Sequence, residues 1–344
     1  MALPKTIDQV TPGWLTKSLQ NNERIGPGGQ VTSIAVDGNA PWNVAETAFL
    51  QLEGRALGSL PRRLFAKLTT SPDPLERFMP GEYVFYSSGL AAGLPVPECH
   101  LALRDEETGG TLVLIDDLRA SHRDVEWPYP PAYADCERAV RALAAVHAGT
   151  RRAGTGDLDG LLSRETELCE MIAGMLPAFF DFMGDALSRE RRQIIEAAIG
   201  RYVPLKQQRY GPGQFLCISH GDTHLWNFLY PKSPDTDACV LIDWEHWYED
   251  FGGTDLALMI TQHWYPERRA RFEVPLLKAY LEALYEGGVP GYGFADLMED
   301  YRLAHICNII VPIYQSQGKH HGWWSNLERW FLALDDLGAR DYLE

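Results

Sequence analysis

The polar residues best suited to chemistry follow two apolar, strand-like runs. The first run leads into ISHGDTHLWNFLY, which carries Asp222 and Asn227, and the second, Cys239–Ile242, leads into Asp243. Phosphoryl transfer needs a carboxylate near the attacking hydroxyl, and oxygen ligands for a Mg²⁺ that bridges the nucleotide phosphates. Asp222 can orient and deprotonate the hydroxyl, and Asn227 and Asp243 can hold the metal. Together, the two runs predict a phosphoryl-transfer site.

The chain around these runs changes from a strand-rich to a helix-rich pattern. Short strand-like runs dominate from 31 to 115, with one predicted helix at about 81–92. From about 131 onward the apolar residues recur with helical spacing, as in CERAVRALAAVH at Cys136–His147. We therefore expect an α+β fold with two lobes: a small β-rich lobe at 1–118 and a larger, mainly helical lobe at 119–344.

The order of these motifs resembles a known family. H-G-D-x-H-x-x-N at His220–Asn227, followed by I-D-W at Ile242–Trp244, resembles the catalytic motif and metal-binding Asp of the aminoglycoside phosphotransferase and choline kinase superfamily, which has a protein-kinase-like fold. Three further runs are most similar to the ecdysteroid-kinase-like branch. They are E-x-x-F-Y at Glu82–Tyr86, PVP at Pro95–Pro97 and LVLIDDL at Leu112–Leu118.

The resemblance implies a role for residues of both predicted lobes. Lys67 is expected to contact the α and β phosphates of the nucleotide, and Glu82 to orient Lys67. The backbone from Asp116 to Leu118 is expected to hydrogen-bond the nucleobase. The resemblance also supports Asp222 as the catalytic residue and Asn227 and Asp243 as Mg²⁺ ligands. His220 and Asp255 are expected to brace the catalytic segment by hydrogen bonding.

The loop that covers the phosphates departs from the usual pattern. It should lie at Val36–Ala45, VDGNAPWNVA, which has one glycine rather than G-x-G-x-x-G. Gly38 and Asn39 can adopt the positive φ of a tight turn and are the expected nucleotide contacts. Pro41 has no N–H to donate to a phosphate. The choice between ATP and GTP stays open.

Several polar and aromatic residues near the catalytic runs are candidates for the acceptor pocket, because aromatic walls are common in small-molecule sites. For each of the tryptophans, ordinary core packing is the alternative. The candidates are His224, Trp226, Glu245, Trp247, Trp264 and Trp323.

The composition limits the partners of the chain. Asp and Glu number 47 against 31 Lys and Arg, a formal net charge of -16 at pH 7. Nucleic acids and anionic membranes are bound through basic groups, so neither is an expected partner. No run reaches the roughly 18 apolar residues of a membrane span, and the start has no signal-peptide pattern. The six scattered cysteines fit reduced thiols in the cytoplasm.

We expect a small-molecule kinase that uses Mg²⁺ and transfers the γ-phosphate of ATP or GTP to a hydroxyl of its acceptor. One hypothesis is a resistance enzyme that inactivates an aminoglycoside, a macrolide or a nucleoside antibiotic such as capuramycin. Another is a metabolic kinase for choline, a sugar or a steroid. Two further alternatives are an inactive kinase-like binding module and a metal hydrolase built on His220, Asp222, His224 and Asp243. The hydrolase does not account for Lys67 or Glu82.

Overall fold

The computed structural model describes residues 2–42, 45–71, 75, 78–151, 158–210, 215–233, 238–318 and 322–344, with the backbone alone for 39–42 and 158. The strands are β1 (Gln30–Trp42), β2 (Ala45–Arg55), β3 (Arg63–Thr69), β4 (Cys99–Arg104), β5 (Thr111–Asp116), β6 (His122–Arg123), β7 (Leu216–Ser219), β8 (Phe228–Pro231), β9 (Val240–Leu241) and β10 (Tyr248–Phe251). The α-helices are α1 (Pro12–Asn21), α2 (Gly81–Ser87), α3 (Tyr133–Gly149), α4 (Leu158–Met183), α5 (Arg189–Tyr210), α6 (Gly253–Thr261), α7 (Pro266–Glu286), α8 (Phe294–Cys307), α9 (Ile310–Gln317) and α10 (Trp323–Asp336).

Two compact units make up the chain. The first consists of Met1–Asp124 and Leu229–Trp247, and the second of Val125–Phe228 and Tyr248–Glu344. The expected α+β fold, with a β-sheet N-terminal region and a mostly helical C-terminal region, is confirmed. The assignment of all of 119–344 to one lobe did not foresee that 229–247, which carries Asp243, packs with the N-terminal residues.

An antiparallel five-stranded sheet forms the centre of the first unit, in the order β1-β2-β3-β5-β4. Side chains alternate between the two faces of a strand. In β3, Leu64 and Leu68 are buried in a core that also contains Leu15 and Leu19 of α1. Lys67 lies on the opposite face of β3, so the alternation that buries these leucines also presents Lys67 on the other side of the sheet.

Helices form most of the second unit, in which α3 packs against α7, α4 against α5 and α6 against α8. Among them lies a short antiparallel pair, in which Ser219 of β7 is opposite Tyr248 of β10. The catalytic motif begins at His220, directly after β7. No helix in the described part of the chain has both the length and the apolar character that a membrane crossing requires.

A buried ionic network fixes β10 to α4 and α5 within the second unit. Lys206 lies 2.7 Å from Asp250 and 3.3 Å from Glu165, and all three side chains are at most 1% exposed. The hydroxyls of Tyr202 and Tyr210 donate to Glu165 and Asp250 over 2.6 Å each. Hydrogen bonds of this kind are what make a buried ion pair tolerable. The network therefore fixes β10, the partner of the strand that leads into the catalytic motif.

Two local predictions in the first unit need correction. The helix expected at about 81–92 ends at Ser87. The loop expected at Val36–Ala45 is largely strand, because β1 continues to Trp42 and β2 starts at Ala45. Gly38 adopts a φ of 80° at an irregularity of the pairing, which lets the strand continue past it. Asn39 lies in β1, its side chain lies outside the described residues, and so do residues 43 and 44.

Candidate active site

Lys67 is held by three carboxylates in the first unit. Its ammonium nitrogen Nζ lies 3.1 Å from Glu82 Oε2 and 2.8 Å from Glu245 Oε1, and it also hydrogen-bonds to Asp243 Oδ1. The Lys67 and Glu82 side chains are only 12% and 8% exposed. Burial by itself would lower the pKa of Lys67, but Glu82, Asp243 and Glu245 raise it well above its usual value. Lys67 therefore stays protonated and positively charged at neutral pH.

Aromatic packing attaches the segment of Asp243 to helix α2. The rings of Phe85 and Trp244 are stacked, with centroids 3.9 Å apart and planes 4° apart. The indole of Trp247 donates to the Gly81 carbonyl over 2.8 Å. Asp243 has a left-handed φ of 69°, which is strained for residues with a side chain. The flanking anchors keep Asp243 in this conformation and aim its carboxylate at Lys67.

Carboxylate oxygens of Glu82, Asp243 and Glu245 lie within 4.8 Å of one another. Hard oxygen ligands of this kind suit Mg²⁺. The donor set thus agrees with a magnesium site that includes Asp243, and it adds Glu245, which the sequence analysis assigned to the acceptor.

The segment expected to contact the nucleobase begins where β5 ends. The Asp116 carboxylate lies 2.7 Å from the His100 ring and accepts the Glu98 backbone N–H over 3.3 Å. Asp117 forms a 2.8 Å ion pair with Arg119, and Leu118 is half-buried. Both acidic side chains therefore have protein partners, and the contact of this backbone with a base stays a prediction.

Asn227 and His224 contact Asp222 in the second unit and hold its position. The Asn227 amide Nδ2 donates to the Asp222 backbone carbonyl over 2.9 Å and faces Asp222 Oδ2 at 3.4 Å. His224 Nε2 lies 3.5 Å from the same oxygen. The other carboxylate oxygen, Oδ1, has no hydrogen bond to any residue in the described ranges, and the side chain is 37% exposed. Oδ1 can accept a hydrogen from an incoming hydroxyl, and the Asn227 Oδ1 can serve a metal.

Asp255 braces the catalytic segment from helix α6. Its carboxylate accepts the backbone N–H groups of His220, over 2.7 Å, and Gly221, over 3.1 Å, and also the Thr223 hydroxyl. His147 Nε2 lies 3.0 Å from it. Burial would raise the pKa of Asp255, but the bonds from His147 and Thr223 lower it to about 2. The Asp222 N–H donates to His220 Nδ1 over 3.3 Å, so the expected bracing roles of His220 and Asp255 are confirmed.

Comparison with known proteins decides the family. The model of the phosphotransferase enzyme family APH matches residues 59–295, more than half of the chain. The chain belongs to this family. It is a small-molecule phosphotransferase that acts on a hydroxyl group. No curated protein matches the sequence.

Solved structures confirm the fold of this phosphotransferase. The GDP and kanamycin complex of APH(2")-IIIa has a TM-score of 0.52 at 12% identity, and the match covers 95% of this chain and 99% of that one. A choline/ethanolamine kinase family protein from Mesorhizobium loti has a TM-score of 0.50 at 11% identity, with 90% and 91% covered. At these identities the likeness extends to the fold alone. The ecdysteroid-kinase-like branch stays a prediction.

The acceptor candidates of the phosphotransferase differ in their surroundings. Trp247, in the first unit, and Trp264, in the second, are buried at 6% and 2% exposure, as core packing would have them. Trp323 packs against Phe179 and Phe182 of α4. These positions favour the packing alternative for the three tryptophans.

His224 and Trp226 lie together beside Asp222 and are half-buried. A third ring, that of His263, contacts both of them, with centroids 5.9 Å from His224 and 5.4 Å from Trp226. Sequence reasoning missed His263 because it follows α6, remote in the chain from the catalytic motif. It also missed the contact between Trp244 and Phe85. No local pattern signals either contact.

Proposed function

We propose that this phosphotransferase is a kinase that transfers the γ-phosphate of ATP or GTP to a hydroxyl of a small molecule. The observation that carries the proposal is the set of partners of Lys67, since Glu82 and Asp243 both meet its ammonium group. A cation oriented in this way is suited to the phosphates of a nucleotide. The family supports phosphate transfer, and the GDP bound by APH(2")-IIIa supports a nucleotide donor.

Asp222 and Lys67 have distinct tasks in the proposed reaction. Asp222 Oδ1 accepts the hydrogen of the acceptor hydroxyl and orients its oxygen for attack on the γ-phosphorus. Lys67 exchanges carboxylates for phosphate oxygens and offsets their charge. Asn227 and Asp243 would hold Mg²⁺, which would supply further neutralisation of the phosphate charge. Most of the rate acceleration then comes from positioning and electrostatics rather than from covalent chemistry.

The proposal is tested by nucleotide turnover with Mg²⁺, with ATP and GTP in parallel, against a panel of hydroxylated antibiotics and metabolites. Asp222→Asn and Asp243→Asn should each lower kcat by at least ~100-fold, the usual effect of removing a group that acts in the transition state. Asp181→Asn, on an exposed face of α4, is the matched control. Undiminished turnover in either of the first two variants contradicts the proposed roles.

The same panel separates the two biological hypotheses. We propose inactivation of an antibiotic, because the APH(2")-IIIa structure contains bound kanamycin, an antibiotic. A metabolic role is the second hypothesis, because a choline/ethanolamine kinase family protein has the same fold. The acceptor with the highest kcat/KM decides between them.

A further inference from the structure

Three rings in the second unit form a cluster next to the catalytic carboxylate. His224, Trp226 and His263, here called the His–Trp cluster, contact one another with centroid distances of 5.4 to 5.9 Å. The ring of His263 stands nearly perpendicular to those of His224 and Trp226, with interplanar angles of 80° and 77°. All three residues are half-buried. The cluster therefore presents ring faces and edges at the surface of the unit.

The cluster borders the Asp222 carboxylate. His224 Nε2 lies 3.5 Å from Asp222 Oδ2, and Trp226 lies one residue before Asn227. An acceptor whose hydroxyl reaches Asp222 has these rings as its neighbours within the same unit. The cluster is thus placed to bind the part of the acceptor that surrounds its hydroxyl.

Two ring nitrogens of the cluster lack hydrogen-bond partners. His224 Nδ1 and Trp226 Nε1 are covered from solvent, and neither has a partner among the residues that the structure describes. A buried polar nitrogen without a partner is costly, and a ligand hydroxyl, which both donates and accepts hydrogen bonds, recovers the loss. A ligand that separates the rings and brings hydroxyl groups to these two nitrogens would be stabilised in this way.

Arg329 places a positive charge beside the backbone of the cluster. The Arg329 guanidinium donates to the His263 carbonyl over 3.0 Å and lies over the Tyr265 ring at 5.1 Å. Its other donors bond to Ser325 and Asn326, which are neutral. The Asp222 carboxylate also contacts the cluster, but the proposed reaction commits it to the hydroxyl. A cationic acceptor would be repelled by Arg329, in contrast to the attraction expected from the acidity of the whole chain.

We propose that the His–Trp cluster binds the acceptor and selects an uncharged, hydroxylated ring, of the kind found in a free sugar or a nucleoside. The inference rests on the proposed kinase function. The C–H face of such a ring lies on the aromatic rings, one of its oxygens accepts from Trp226 Nε1, and one of its hydroxyls hydrogen-bonds to His224 Nδ1. Arg329 disfavours amino-substituted versions of the same ring.

The test compares acceptors in matched pairs. Glucose is compared with glucosamine and adenosine with its 3'-amino-3'-deoxy analogue, beside a set of neutral hexoses, pentoses and nucleosides; kanamycin and choline are the cationic references. We expect the uncharged member of a pair to have the higher kcat/KM by about tenfold or more. A preference for amines or quaternary ammonium groups overturns the inference, and so does the absence of turnover with every neutral ring compound.

Variants of the His–Trp cluster then test whether the acceptor contacts Trp226. Trp226→Phe keeps a ring and removes the N–H, so the acceptor KM should rise by about tenfold, the usual effect of one lost hydrogen bond. Trp226→Leu should raise it further, and the nucleotide KM should stay unchanged in both. Trp14→Phe, in helix α1, controls for the loss of an indole. An acceptor KM that is unaltered in both Trp226 variants contradicts the assignment of the cluster.

Charge selection is tested separately at Arg329. Arg329→Gln should raise kcat/KM for glucosamine several-fold relative to glucose, whereas Arg329→Lys should retain the discrimination. Equal discrimination between glucosamine and glucose in the wild-type protein and in both variants overturns the role of the Arg329 charge.

Failure of the inference is distinguishable from failure of the kinase function. Slow nucleotide hydrolysis with water as the acceptor, measured without added acceptor and sensitive to Asp243→Asn, reports phosphoryl transfer directly. If the neutral acceptors fail but nucleotide hydrolysis or turnover of a cationic acceptor is present, only the inference fails. If Mg²⁺-dependent nucleotide binding and all transfer are absent, the kinase function fails as well.

Discussion

Lys67 is surrounded by more negative charge than it can neutralise. Three carboxylates share one ammonium group, and burial raises the pKa of Glu82 even though Lys67 opposes this shift. The excess negative charge would be offset if a metal cation bound to the carboxylates. Phosphate oxygens could then replace some of the carboxylates as partners of Lys67. We therefore expect nucleotide binding and the stability of the first unit to be coupled at Lys67.

The first prediction concerns this coupling. Lys67→Met should destabilise the protein by about 3 kcal/mol, because Glu82 is left buried without its partner, and should lower kcat/KM for the nucleotide by at least ~100-fold. The Lys67→Met, Glu82→Gln double variant should lose less stability than the sum of the single variants. Urea unfolding and steady-state kinetics measure both effects, with the exposed Lys17→Met as the control. Additive free energies would contradict the proposed pairing.

A second prediction follows from Asp255. Its pKa of about 2 in the folded chain lies below its ordinary value of 3.8, so its contribution to stability is complete above pH 3.8 and disappears as the pH falls toward 2. The shift corresponds to about 2 kcal/mol. Asp255→Asn should therefore flatten the decrease in unfolding free energy between pH 5 and 2 by about that amount. Asp181→Asn should retain the full decrease, and equal slopes for all three proteins would argue against a bracing role.

The residues with chemical roles could be chosen from the sequence only where a motif is local. Asp222 and Asn227 are five positions apart, so one segment reveals both. Lys67 and Asp243 are separated by 176 positions, and only the family resemblance linked them. His263 has no motif at all. Its contacts arise from the way in which the chain returns to the catalytic segment after α6.

Helices and strands likewise differ in how far the sequence alone predicts them. The alternation in β3 and the helical spacing in α3 are strong periodic signals, and both elements form where the sequence indicates. The predicted bounds of the phosphate loop were wrong because the pairing of β1 with β2 outweighs the turn preference of Gly38 and Asn39, and the contact of these two residues with a nucleotide stays a prediction. The Lys206 network could not be foreseen either, since a lysine in a helix is ordinarily solvated and its partners come from α4 and β10.

The stacking of α2 on the Asp243 segment gives the third prediction. Phe85→Ala should cost about 3–5 kcal/mol, as for other buried aromatic truncations. It should also raise the nucleotide KM, because the segment that aims Asp243 loses its anchor. Leu114→Ala, in the core on the other face of the sheet, is a control truncation. Urea unfolding and kinetics compare the two, and an equal change in nucleotide KM would show that stability alone is responsible.

The chain as a whole is acidic, whereas a positively charged residue lies beside the His–Trp cluster. The chain carries -16 in total, whereas Arg329 places a positive charge beside His263. Long-range attraction to an acidic protein accelerates the approach of cations and is screened by salt, with a Debye length of about 10 Å at 0.1 M. An uncharged acceptor is not subject to this attraction.

The fourth prediction uses that contrast. For the preferred acceptor, kcat/KM should change less than about twofold as NaCl is raised to about 0.5 M, whereas kcat/KM for kanamycin should fall. The salt series is run at saturating nucleotide so that only acceptor encounter varies. A steep fall for the preferred acceptor would indicate a cation and would contradict the selection of a neutral ring.

The left-handed backbone at Asp243 makes one replacement different from all others. Glycine adopts a φ near 69° without strain, whereas alanine costs roughly 1 kcal/mol there. Asp243→Gly should therefore keep the fold of the segment while deleting the carboxylate, so that its melting temperature exceeds that of Asp243→Ala. Such a protein would bind the acceptor without turning it over, because Asp222 and the His–Trp cluster are unchanged, and the acceptor could then be isolated from a mixture of metabolites and identified by mass.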